Sequence, residues 1–146
     1  MHPLSRIEKA SELVRTIVPA TPQYCWPLLA RRVGAEVWVK HENHTPIGAF
    51  KIRGGLIYLA ELKKAEPHCA GIISATRGNH GQSLALAASR LGMSAVIVVP
   101  FENSHEKNDA MRGFGAQLIE HGRDLINTAS MMVRTAIRGQ RSHQMK

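Results

Sequence analysis

Two periods alternate along this chain. Leu4, Ile7, Val14 and Val18 recur at helical spacing, with Leu13 and Ile17 beside them, Ser5 placed to cap the run and Pro19 to end it. That predicts a first helix over 5–18. Thr21, Pro22, Trp26 and Pro27 mark an extended stretch, because a residue before proline is pushed out of the helical region. Gly34 marks a turn, and 36–40 reads as a strand. Ile52, Leu56 and Leu59, flanked by Ile57 and Ala60, form the stripe of a helix over 50–62 that Pro67 stops. A short buried strand follows over 71–74. A helix over 79–91 turns Leu84, Ala87, Ala88 and Leu91 inward and stops at Gly92.

The run 95–99 is rich in valine and isoleucine without a polar break, the pattern of a strand covered on both faces, and Pro100 ends it. Ser104 caps a helix to about 114, with Met111 and Phe114 on one face, and Gly115 closes it. A strand over 116–120 and a helix over 125–137, striped by Leu125, Ala129, Met132 and Ala136, complete the pattern before Gly139 and a polar tail over 139–146. Strand and helix alternate four times from 36 to 137, which predicts an α/β fold: a parallel sheet with right-handed crossovers, flanked by helices. The chain divides into a helix and extended segment over 1–35, an α/β lobe over 36–138 and the tail.

Composition narrows the picture only slightly. The chain has 146 residues, enough for one core, and ordinary apolar and charged fractions. No apolar run is long enough to span a bilayer and the first residues lack a signal-peptide core, so the expectation is a cytoplasmic protein with no membrane partner. Cys25 and Cys69 give neither a disulfide framework nor zinc spacing, and read as reduced, small apolar residues. His41, His44 and His105 lack further ligands at zinc spacing, so no metal is expected. Net charge is +8, yet the basic residues are dispersed and no aromatic residues interleave with them, which argues against nucleic acid. After Asp124 the chain carries Arg134, Arg138, Arg141 and Lys146 and no acid.

The candidate chemistry sits where the first predicted strand hands over to the helix at 50. Pro46 and Gly48 break the chain, and Lys51 stands at the loop-to-helix junction beside Phe50. An amine presented there has the chemistry to form a Schiff base with a carbonyl, although a single lysine is more often a solvated charge. The surrounding order, Lys40, Glu42, Pro46, Gly48-Ala49-Phe50-Lys51 and Arg53-Gly54, resembles the lysine motif of the fold-type II pyridoxal-phosphate enzymes, the serine/threonine dehydratase family. The family often has serine where this chain has Ala49. A second stretch, Ser74-Ala75-Thr76-Arg77-Gly78-Asn79-His80-Gly81, resembles the same family's Ser-x-Gly-Asn-His loop, in the right order after the lysine.

The resemblance implies the small, N-terminal lobe of such an enzyme, with pyridoxal 5'-phosphate as cofactor. It implies that Lys51 is the lysine that condenses with the cofactor and removes the α-proton, that Phe50 and Asn79 contact the cofactor, and that Thr76, Arg77, Asn79 and His80 meet the substrate. The implied reaction is β-elimination of L-threonine or L-serine to a 2-oxo acid and ammonia. Asn79 equally suits a helix N-cap, and His80 equally suits a structural role. Arg77 replaces the serine that family members acting on D-serine carry, and an arginine lacks a hydroxyl to act as a base on the opposite face. That favours elimination over racemisation. Arg77 is read either as a partner for a substrate carboxylate or as a surface charge.

The resemblance covers about 5–122. The family's glycine-rich phosphate loop has no counterpart, because glycines here are isolated or paired, as at Gly54-Gly55. The expectation is therefore a truncated form that leaves some apolar surface uncovered. The alternative is a catalytically inactive lobe that acts by associating with another chain, either a second copy or a full-length relative.

Overall fold

The computed structural model describes residues 3–123. Its core is a three-stranded parallel sheet of β3 (Gly71–Ala75), β4 (Ser94–Val99) and β5 (Gln117–Glu120), in that spatial order. Gly71 pairs with Ser94 at one margin and Val96 with Gln117 at the other. The central strand is the one with the unbroken apolar run, and Ala95, Ile97, Val98 and Val99 are buried. Helix α3 (Lys51–Ala65) precedes β3, α4 (Asn79–Arg90) joins β3 to β4 and α5 (His105–Gly113) joins β4 to β5, as the periodicity predicts. The helix and tail expected beyond 124 lie outside the described residues.

The expected stripe of α3 is buried as read: Ile52, Leu56 and Leu59 pack against α4. The two helices approach closely because Gly55 faces Ser83, and a methyl group at 55 would collide with the serine hydroxyl. Helix α4 is buried more completely than one inward stripe implies. Every residue from Gly81 to Ala88 is covered, since α3, α5 and the sheet all touch it. Gly92 and Gly115, at φ +63° and +93°, supply the left-handed turns that end α4 and α5. The Ser104 hydroxyl caps α5 by accepting the Lys107 N–H at 3.4 Å.

The first third of the chain departs from expectation. Helix α1 (Leu4–Arg15) ends before Pro19, and buries Val14 while Leu4 and Ile7 stay exposed. Its N-cap is Pro3, not Ser5, and no side chain caps it. The stretch read as extended contains a short strand, β1 (Gln23–Cys25), and then a helix, α2 (Pro27–Val33), that was not expected. Proline is well tolerated at the first position of a helix, which its fixed φ suits.

The strand expected over 36–40 forms as β2 (Trp38–Lys40), but it does not join the parallel sheet. It pairs antiparallel with β1, matching Gln23 to Lys40 and Cys25 to Trp38, across the division drawn at residue 35. No residue from 22 to 44 is buried, and Tyr24, Trp26, Leu28 and Trp38 are among the exposed apolar side chains. This agrees with the expectation of uncovered apolar surface. No helix among the described residues is long and apolar enough to cross a membrane.

Candidate active site at the helix termini

Lys51 is the first residue of α3, and Phe50, two-thirds exposed, holds the N-cap position. The loop that delivers them is braced from within. The buried Thr45 hydroxyl accepts the Ala49 N–H at 2.9 Å and donates to the Ala49 carbonyl at 2.8 Å. The Gly48 N–H reaches the Thr45 carbonyl at 2.9 Å, with Gly48 at φ +65°. Thr45→Val would leave the Ala49 groups without these partners. Leaving such a group unsatisfied costs about 1–3 kcal/mol, so a lowered thermal midpoint with loosened amides over 45–51 in hydrogen exchange is the expected outcome.

A second brace ties this loop to the body of α3. Glu42, in a short 3-10 turn (Glu42–His44), accepts Arg53 Nε at 2.8 Å and Nη2 at 2.9 Å. It also accepts the Thr21 hydroxyl at 2.8 Å. The Arg53 hydrogen bond is the main reason the Glu42 carboxyl is held below the usual carboxylate range; burial opposes it, and Thr21 assists. The opposite charges within the Lys51 motif are the signal that sequence reading left unused. On the far side, the Ser83 hydroxyl donates to the Lys51 carbonyl at 2.9 Å and fixes α4 against the first turn of α3.

The second motif is the β3-to-α4 connection, at the carboxyl end of the parallel sheet, where open α/β sheets commonly bind ligands. The Thr76 N–H extends the pairing to the Val98 carbonyl, and its hydroxyl accepts the Gly78 N–H at 3.4 Å. Thr76 is buried and shapes the loop. Asn79 is not the cap of α4: Gly78 holds that position, no side chain caps the helix, and Asn79 is its exposed first residue. The orphan N–H groups of that turn lie with it.

His80 keeps part of its surface in solvent. Burial, and then the positive charge of Lys51, hold its imidazole below the usual histidine range. A cavity of about 220 Å³ opens beside His80, walled by Tyr58, Ile72, Ile73, Ser74 and Leu84. Arg77 is exposed and reaches the Arg123 carbonyl with Nη2 at 3.3 Å. His41 lies instead among aromatic rings, accepting Trp26 Nε1–H at 3.3 Å.

The structure thus brings Lys51 and His80 together and sets Asn79 at the start of the facing helix. Glycine has a steric role within the second motif: a methyl group on Gly81 would run into Met111, Thr76 and Ile97. The Lys51 amine makes no hydrogen bond or ion pair among the described residues.

Comparison with known proteins gives this arrangement a context. The chain is similar to the biosynthetic L-threonine dehydratase IlvA of Haemophilus influenzae, 37% identical over 119 residues, covering 82% of this chain and 23% of that protein. It is similar also to the serine racemase of Schizosaccharomyces pombe, 36% identical over 117 residues, covering 80% of this chain and 36% of the relative. Among solved structures, a pyridoxal 5'-phosphate-dependent aspartate racemase superposes with a TM-score of 0.85 at 30% identity, over 93% of this chain and 43% of that one. The chain therefore spans about a quarter to under half the length of these relatives. The family profile described as pyridoxal-phosphate dependent enzyme matches residues 14–143, continuing past Gly122, where the resemblance seen in the motifs ends. With both motifs inside that match, and the lysine and the asparagine heading adjacent helices, the chain belongs to the pyridoxal-phosphate dependent enzyme family.

Proposed function

We propose that this chain is the lysine-bearing lobe of a dehydratase that eliminates the β-hydroxyl of L-threonine or L-serine, yielding a 2-oxo acid and ammonia. The observation that carries the reading is the placement of a Lys51 amine with no hydrogen bond or ion pair among the described residues, close enough to His80 for its charge to help hold that imidazole below the usual histidine range, with Asn79 exposed on the same helix terminus as His80. These residues suit pyridoxal phosphate: an amine for its aldehyde, an amide for its ring hydroxyl, and backbone N–H groups at a helix N-terminus for an anion. When bound, that cofactor supplies an electron-accepting ring.

The chain's residues supply the rest. Lys51 holds and moves the proton at the substrate's α-carbon. Phe50 walls the amine, and Asn79 orients the ring. The first turn of α4 and His80 hold the α-carboxylate, while Thr76 shapes the loop beneath. Arg77 has no hydroxyl with which to deliver a proton from the opposite face, which supports elimination over racemisation although relatives of both kinds are known.

The lobe-only reading draws on a different observation, the unburied segment 22–44 in a chain that spans 23% of the threonine dehydratase. Titrating the purified chain with pyridoxal phosphate, reducing with borohydride and mapping the labelled peptides separates the two. Saturable labelling on Lys51, absent from Lys51→Ala, supports a working cofactor site. Weak label spread over many lysines refutes it and leaves a lobe that acts only with a partner.

A further inference from the structure

One margin of the parallel sheet is open. Among the described residues β3 has β4 on one side and no strand on the other. Bonds at the two ends of β3 fix which main-chain groups face out. The Ser94 N–H donates to the Ala70 carbonyl at 2.9 Å, and the Thr76 N–H donates to the Val98 carbonyl at 3.0 Å. Main-chain direction alternates along a strand, so Ile72 and Ser74 also turn to β4, and Gly71, Ile73 and Ala75 turn to the empty side. The Gly71 carbonyl accepts the Cys69 thiol at 3.3 Å. The N–H and carbonyl groups of Ile73 and Ala75 have no partner among the described residues. Helix α3 does not close this side. The 220 Å³ cavity touches Ile72, Ile73 and Ser74 together with the exposed Tyr58 of α3. Consecutive strand side chains point to opposite faces, so a cavity that reaches all three runs along the edge.

This edge also lacks the devices that keep strand edges apart, which are charged side chains, proline and bulges. No Asp, Glu, Lys, Arg or Pro occurs from 68 to 76. The register of β3 with β4 is unbroken from Gly71 to Ala75. The opposite margin is built differently. Strand β5 is bounded by the exposed Gln117 and Glu120, and Glu120 lies 3.7 Å from Arg112.

We infer that β3 is a self-pairing edge: two copies of this chain join their β3 strands antiparallel, across a two-fold axis at Ile73, into one continuous sheet. The occupant is a second copy because the edge complements itself. About that axis Ile73 meets Ile73 of the second copy and Gly71 meets its Ala75, and each pair brings outward N–H groups to outward carbonyls. Charge points the same way. A partner recognised by charge finds none on 68–76, whereas a chain of net charge +8 meets its own copy most easily where neither carries a charge. The contact is one five-residue strand, so the dimer is a weak one, with a dissociation constant on the order of 10–100 μM. The inference stands apart from the proposed cofactor site.

The test is sedimentation equilibrium of the full chain over a wide concentration range, with amide hydrogen exchange read by NMR on the same samples. The unaltered chain should pass from monomer to dimer, more readily at physiological than at low salt, because salt screens the repulsion between the two copies. Protection of the Gly71, Ile73 and Ala75 amides should rise with concentration, while Ile72 and Ser74, already bonded to β4, should not change. Ile73→Pro removes only an outward N–H, which an edge strand tolerates, and Ala75→Lys puts a charge on the edge. Each should weaken association at least about tenfold, the scale of a lost main-chain bond or two. Gln117→Lys, the same added charge on β5, should leave it within about twofold. A chain that stays monomeric overturns the inference. So does a dimer that both edge variants leave intact, which assigns association to another surface. Protection of Ile73 and Ala75 in the monomer, independent of concentration, also overturns it and gives the edge to a segment of the same chain. The exchange pattern of the unaltered chain decides the matter even where a variant fails to fold.

Discussion

Gly81→Val is expected to lose the cooperative thermal transition of this chain. In an isolated helix the change would be favourable, because glycine is about 0.5–1 kcal/mol worse than an ordinary residue in a helix interior. Here even one added carbon would lie 2.6 Å from Thr76 Cγ2 and 3.2 Å from Ile97 Cγ2, and against the Met111 sulfur. Ile97 and Met111 are fully buried, and Thr76 nearly so. Met111 is wholly enclosed, Ile97 is held within β4, and Thr76, just after β3, is tied by its N–H to the Val98 carbonyl. Forcing volume into a filled core costs about 1–3 kcal/mol per modest insertion, and valine adds three carbons with a stiff χ1. A loss of about 3 kcal/mol or more is a large part of the total stability of a small domain.

Gly54→Ala is the matched control. It lies within α3 with nothing within 4 Å of an added methyl group, so it should add the helix-propensity increment of about 1 kcal/mol to stability and raise the midpoint. Circular dichroism melts of the two variants decide the point. A folded, cooperative Gly81→Val would mean that α4 does not sit against α5 and the sheet as described.

What could be read from residues alone follows from where the information lies. Lys51 was placed at a helix start because Pro46 and Gly48 are local breakers whose effect needs no tertiary partner. Likewise β4 announced itself through an unbroken apolar run, and Ser104 and Gly92 through the geometry that capping requires. The partner of β2 was not readable, because period and composition describe a strand and not its neighbour. Helix α2 was missed because none of its residues is buried, and because Pro22 before it and Pro27 at its first position suggested extension. Asn79 shows a different limit. Asparagine favours a cap, but the chain enters α4 one residue earlier, through Gly78, whose missing Cβ makes room for Lys107. The braces at Thr45 and Glu42 depend on partners 4 and 11 residues away, a spacing that no single period reports.

Glu42→Gln should cost about 2 kcal/mol at pH 7, and the loss should disappear in acid. The carboxylate holds both donors of the Arg53 fork and the Thr21 hydroxyl, and charged hydrogen bonds are worth about 1.5–3 kcal/mol apiece before allowance for partial exposure. An amide keeps the shape but cannot accept from the whole fork, and it leaves Arg53 without its counter-charge. The sign with pH follows from the direction of the shift. Glu42 is more acidic folded than unfolded, so its contribution is complete above the ordinary carboxylate pKa of about 4.3 and fades as pH falls through the lower folded value. Denaturation of the two chains from pH 7 to pH 2 should therefore show a gap that closes on acidification. Because Glu42 anchors the turn that leads to Phe50 and Lys51, the variant should also lose site-specific labelling of Lys51 at pH 7 under conditions where it remains folded. Equal stability at pH 7 would reduce the Arg53 pair to a solvated contact. Unchanged labelling with reduced stability would mean that Lys51 is positioned by Thr45 and Ser83 alone.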